Sequence, residues 1–136
     1  VPETTETLTL ERDYDAPPER VFDAWTRVDL LTQWFGCAPD TLWSVHVWDA
    51  RVGGQLHVSL HFDGKPPFEV RGEFLVLEPP RRLAYRWAAD ELVEVTIEPR
   101  GSGSRLRLSH TFPSGEHAGP IRTKGWTSAL EELRKI

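Results

Sequence analysis

The sequence predicts an α+β domain in which a curved antiparallel sheet wraps around one long C-terminal helix. Three observations carry that reading. Apolar residues recur with a period near two from residue 42 to Phe112, the periodic segments are separated by short Gly- and Pro-containing turns, and the closing stretch "GPIRTKGWTSALEELRKI" (119–136) changes to a helical period. Consecutive strands joined by short turns form an antiparallel meander, and a helix with one apolar face then docks on the sheet.

Each element follows from its own pattern. Residues 6–14, "ETLTLERDY", set Leu8, Leu10, Arg12 and Tyr14 against Thr7, Thr9, Glu11 and Asp13, as in a half-buried strand. "DAPPERVFDAWT" (15–26) opens a helix with Asp15 as N-cap and prolines in the first turn, and Val21, Phe22 and Trp25 share a face. A second short helix, "DLLTQWF", runs from Asp29 and stops at Gly36. Trp43, Val45 and Val47 alternate over 42–49, "DARVGG" turns the chain, and Leu56, Val58, Leu60 and Phe62 alternate over 55–62. A longer strand, 68–78, loses its period around Gly72, where a bulge is expected. Leu83, Tyr85 and Trp87 follow the "EPPRR" turn. Val93, Val95 and Ile97 form the next strand, and after "PRGSGS" a last one carries Leu106, Leu108, His110 and Phe112 on one side. In the final helix Gly119 is the expected N-cap and Pro120 the first helical residue, where its missing N–H leaves no bond unmade.

Composition narrows the class. At 136 residues with 39% hydrophobic and 27% charged side chains, and with no repeat or linker, residues 1–136 read as a single globular domain with room for a sizeable core. Sixteen basic against 21 acidic residues give a net charge of −5, which disfavours nucleic acid and anionic membranes as partners. No apolar run is long enough to cross a membrane and the first ten residues lack a signal-peptide pattern, so a cytoplasmic location without membrane insertion is expected. The only cysteine, Cys37, excludes an internal disulfide and any cysteine-cluster metal site.

The order of elements, with "DAPPERVFDAWTRVDLLTQWFG" (15–36), "WDARVGGQL" (48–56), "GEFLVLEPPRRLAYRW" (72–87), "LSHTFPS" (108–114) and "GWTSALEEL" (125–133), resembles the START-like (SRPBCC) superfamily with its helix-grip fold. Within it the words are most similar to the branch named after the activator of the heat-shock chaperone ATPase. The resemblance implies a cavity between the concave sheet face and the C-terminal helix, suited to a small hydrophobic or amphipathic molecule, and it brings a stress-response role into view. It does not imply one chemistry, because the superfamily includes carriers, receptors, cyclases and co-chaperone domains. Two departures stand out. The eukaryotic chaperone activators carry a further domain ahead of this one, and the helix position the family often fills with His or another polar residue is Arg122 here.

That arginine frames the functional question. It falls inside the apolar stripe of Trp126, Ala129, Leu133 and Ile136, beside the bare backbone of Gly125. Strand parity sends Arg12 and His110 inward as well. A buried guanidinium demands a carboxylate, an aromatic face, water or a ligand. Two readings stay open: the arginines tie helix to sheet through carboxylates such as Glu78 or Asp49, or they hold an anionic head group in a wet cavity. The expected cavity wall comprises Trp43, Phe62, Phe74, Tyr85, Trp87, Phe112 and Trp126, with Trp34 and Phe35 as a lid hinged near Gly36. Binding or carriage of a small apolar or amphipathic molecule, anionic where the arginines face it, is the leading function. The alternatives are a co-chaperone-like module working through its surface on a chaperone, and a cofactor-free cyclase or dehydratase using His110 with Tyr85 or Asp49. No cofactor is implied. No metal is expected either: His57 and His61 stand about 13 Å apart along one strand, and His46 facing His57 makes only two ligands. The oligomeric state is not readable from the residues.

Overall fold

The computed structural model describes residues 4–35, 41–62, 66–88, 90–115 and 118–135, and within them the side chains of all but residues 41–43, 62 and 121. The chain forms β1 (Thr5–Tyr14), α1 (Pro18–Thr26), α2 (Val28–Leu31), β2 (Thr41–Trp48), β3 (Gln55–Phe62), β4 (Phe68–Glu78), β5 (Arg82–Arg86), β6 (Leu92–Arg100), β7 (Gly103–Pro113) and α3 (Ala118–Leu133). All seven strands join one antiparallel sheet in the order β1-β7-β6-β5-β4-β3-β2. This is the α+β helix-grip arrangement expected, a first strand plus a six-strand meander gripping the C-terminal helix.

Local physics explains where the details depart from expectation. Pro17, not Asp15, occupies the N-cap of α1 and makes no side-chain cap bond. Pro18 follows at the first helical position, where φ is already set for a helix. The second helix is shorter than expected. Only Val28–Leu31 is helical, and residues 32–35 continue as turn, which carries Trp34 and Phe35 inward to full burial. Gly36 and Cys37 lie outside the described residues.

In β2 the alternation of Val45 and Val47 is interrupted by a bulge between them, so Val47 is exposed and Trp48 takes the inward place. In β4 the register shift falls between Phe74 and Val76, just beyond Gly72. Gly72 answers a different need, since a Cβ there would stand 1.7 Å from the Arg86 carbonyl oxygen. Helix α3 starts at Ala118, placing Gly119 and Pro120 within its first turn rather than at its boundary.

The core lies on the concave face. Leu106 and Leu108 of β7, Val93, Val95 and Ile97 of β6, and Leu56 and Val58 of β3 are buried beneath the helices. Helix α1 packs across β6 and β7, and α3 packs on β1. Within α3 the buried residues are Trp126, Ala129, Leu130 and Leu133. Its C-terminal end is pinned where the Tyr14 hydroxyl donates to the Leu130 carbonyl at 2.9 Å and Arg134 donates to the Asp13 carbonyl at 2.7 Å. Ile136, the last residue of the expected stripe, lies outside the described residues. No described helix is long and apolar enough to cross a membrane.

Candidate functional site

The registers of five strands place Leu8, His110, Val93, Tyr85 and Phe74 in one row across the sheet. On this row rests an aromatic assembly drawn from five elements and two turns. Trp25 comes from α1, Trp34 and Phe35 from the turn after α2, Trp48 from β2, Phe74 and Tyr85 from the row, Trp87 from the turn after β5, and Trp126 from α3. Phe35 sits at its centre, with ring centroids 6.5 Å from Trp25, 5.4 Å from Trp48, 5.8 Å from Trp87 and 6.1 Å from Trp126. Trp25 in turn meets Trp34 at 4.7 Å and Tyr85 at 6.4 Å. Most pairs are edge-to-face or tilted, the arrangements that ring quadrupoles favour.

The wet cavity expected between sheet and helix is therefore occupied here by protein rings, with Phe35 as the plug. Space is found at the margin. A cavity of about 150 Å³ opens between β1, α1 and the end of α3, bordered by Tyr14, Arg20, Val21, Leu133 and Arg134.

Polar atoms in this dry interior divide into two kinds. The Trp34 and Trp48 indoles donate to the carbonyls of Ala24 and Trp25 at 2.9 and 2.8 Å, satisfying carbonyls at the open end of α1. The Trp25 indole N–H and the Tyr85 hydroxyl are fully buried and, among the described residues, have no hydrogen-bond partner. Burial pushes the Tyr85 phenol well above its ordinary range, so the group keeps its proton and remains a donor. Two unpartnered donors in one aromatic assembly depart from the rule that buried polar groups are paired.

At the other end of the site the polar groups bond one another. Trp126 Nε1 donates to His110 Nδ1 at 2.9 Å, which leaves the imidazole proton on Nε2, facing Glu91 Oε1 at 2.7 Å. The same carboxylate oxygen accepts from Arg122 Nε at 2.9 Å, and Arg122 also donates to the Ala118 carbonyl at 3.1 Å. The guanidinium lies 4.6 Å over the Phe112 ring. Burial acts to raise the Glu91 pKa, but the hydrogen bonds from His110 and Arg122 and the Arg122 charge outweigh it, and the group titrates below its ordinary range. A carboxylate and a guanidinium side by side make this corner electrically neutral.

Set against the expected residues, the structure gathers Trp34, Phe35, Phe74, Tyr85, Trp87 and Trp126 into the assembly and places His110, Phe112 and Arg122 at its polar end. The side chains of Trp43 and Phe62 lie outside those described. Arg12 belongs elsewhere. It pairs with Leu106, four residues along β7 from His110 and so about 13 Å away, and its guanidinium bonds the Glu11 carbonyl at 2.8 Å. Neither expected carboxylate serves Arg122: Asp49 pairs with Arg51, and Glu78 with Arg82. Both nitrogens of His110 are engaged by protein groups, so neither is free to act as a general base in this geometry.

Three residues of the site escape the sequence pattern. Glu91 stands in a turn without periodicity, and its only advance signal is that Arg122 needs a carboxylate. Trp25 reads as an ordinary helix-face residue, and Trp48 falls out of phase because of the bulge. On the outer sheet face, the expectation that His46 and His57 lack a third ligand is corrected, since Glu69 of β4 joins them.

Comparison with known proteins agrees with this architecture. The family model described as Activator of Hsp90 ATPase homolog 1-like protein matches residues 15–136. A protein of Chromobacterium violaceum shares 27% identity over 95% of this chain and 94% of its own, with a TM-score of 0.84. CalU16 of Micromonospora echinospora is 28% identical, covering 95% of this chain and 74% of its own with a TM-score of 0.71. An AHSA1-like protein of Aeromonas hydrophila, at 21% identity, shares the fold with a TM-score of 0.76 over 96% of this chain and 90% of its own. No curated protein matches the chain significantly.

Proposed function

The chain belongs to the family of Activator of Hsp90 ATPase homolog 1-like proteins, and from that premise we propose that it binds a small, largely apolar molecule in the aromatic interior. The observation that carries this reading is the pair of fully buried, unpartnered donors, Trp25 Nε1 and Tyr85 Oη. Each unmade hydrogen bond costs about 1–3 kcal/mol, and a ligand acceptor placed between them recovers that cost. The surrounding rings suit an aromatic or alicyclic body.

The ligand class follows from charge. Arg122 is already neutralised by Glu91, and an anion beside two neutral donors in a dry site is costly to bury. An uncharged molecule bearing a carbonyl or similar acceptor fits better than an anionic head group. Because Phe35 occupies the centre of the assembly, binding requires that its ring give way, and the molecule takes over its ring contacts.

The test is native mass spectrometry of gently purified protein, followed by tryptophan-fluorescence titration with uncharged aromatic ketones and, in parallel, fatty acids. A released adduct or saturable one-to-one quenching by the ketones, weakened by Trp25→Phe and Tyr85→Phe, supports the reading. A clean apo mass with no saturable response to either panel overturns it and turns attention to a chaperone or another protein partner.

A further inference from the structure

The outer face of the sheet carries a cluster that the aromatic interior does not use. The bulge in β2 sets His46 and Val47 together against His57 of β3, and an extra residue in one strand re-aims the side chain it carries. As a result the His46 and His57 rings lie 4.6 Å apart. Glu69 of β4 stands opposite Ser59 of β3. Its Oε1 faces His57 Nε2 at 3.1 Å, while Oε2 accepts the Ser59 hydroxyl, and His46 Nε2 meets Ser59 Oγ at 2.7 Å. One ligand atom from each of His46, His57 and Glu69 lies within 4.8 Å of the other two.

We propose that His46, His57 and Glu69 form a site for a divalent transition-metal ion, zinc by preference. Two imidazoles and one carboxylate are a donor set that borderline-soft ions favour over calcium or magnesium, which take oxygen ligands. Zinc ligands stand about 2.0–2.2 Å from the ion, hence about 3.4 Å from one another in a tetrahedron. Small side-chain rotations on a fixed backbone close the remaining gap. The groups that now share protons across the cluster are those an ion would hold, since metal binding displaces such protons. Ser59, itself buried, already orients the Glu69 carboxylate in the way that outer partners of metal ligands do.

Three ligands leave a fourth position for water. A groove of about 490 Å³ bordered by Val47, His57, Arg71 and Arg86 runs beside the cluster and gives access. Arg71, opposite His57 on β4, opposes a cation and moderates the affinity. The site is separate from the aromatic interior: it lies on the opposite face of the sheet and does not depend on the ligand reading above.

The experiment uses chelator-stripped protein free of any affinity tag, titrated calorimetrically with zinc and, by visible absorption, with cobalt(II) as a coordination reporter. One ion per chain is expected, with a Kd tighter than about 10 µM. His46→Ala, His57→Ala and Glu69→Gln should each weaken binding by at least about tenfold. His61→Ala, whose ring bonds Ser44 outside the cluster, should leave it unchanged, and Arg71→Gln should tighten it. Far-UV circular dichroism establishes that each variant is folded. No saturable binding below about 1 mM, binding indifferent to Glu69→Gln and His46→Ala, or binding lost with His61→Ala overturns the proposal.

Discussion

Two corners of the same interior, both in contact with the Trp126 ring, treat polar atoms in opposite ways. Around Glu91 the polar groups are joined: His110, Arg122 and Trp126 form one continuous hydrogen-bonded chain that ties α3 to the sheet. Around Trp25 and Tyr85 the rings close tightly, yet two donors find no partner among the described residues. A structural tie minimises unmade bonds, whereas a binding site leaves them for its ligand. On the proposed reading, the difference separates residues that hold the fold from residues that a ligand would complete.

The comparison can be broken most forcefully at the plug. Phe35→Ala removes a ring buried among several others and should destabilise the apo protein by about 3–5 kcal/mol in denaturant unfolding. If the interior is a binding site, the same variant gains affinity for bulkier uncharged aromatics, because the space that Phe35 vacates is available to them. Loss of stability without any gain in binding would make Phe35 a plain core residue.

Glu91→Ala should cost about 2–4 kcal/mol, since it leaves the His110 N–H and the Arg122 guanidinium without their shared acceptor. The pH dependence follows from the lowered Glu91 pKa. Its stabilisation is fully present above the unfolded value of about 4.3 and is lost as pH falls through the lower folded value. Wild type should therefore lose stability in that acid window, and Glu91→Gln should flatten this part of the profile in urea melts at stepped pH.

Tyr85→Phe sharpens the contrast from the other side. Removing a buried hydroxyl that has no partner should raise apo stability by about 1 kcal/mol while weakening ligand binding, the reverse of what a structural hydroxyl shows. A fall in melting temperature would place Tyr85 with the structural residues instead. The smallest effect is expected at Gly125, in the middle of α3, where an added Cβ meets nothing within 4 Å. Gly125→Ala should stabilise by about 0.5–1 kcal/mol through helix propensity alone, with binding unchanged.

The sequence by itself determined the architecture, because period-two and helical patterns, turn residues and the order of elements act locally and survive translation into structure. It also placed Arg122 and His110 on inward faces, a matter of parity along a single strand or helix. What it left open was settled by tertiary structure. Partner choice belongs there: Glu91 meets Arg122 across 31 positions because the turn before β6 comes to rest beneath α3. Bulges belong there too, since one extra residue in β2 turned Trp48 inward and His46 toward His57. The filling of the interior by Phe35 and Trp25 is decided by packing among five elements at once, which no single segment encodes.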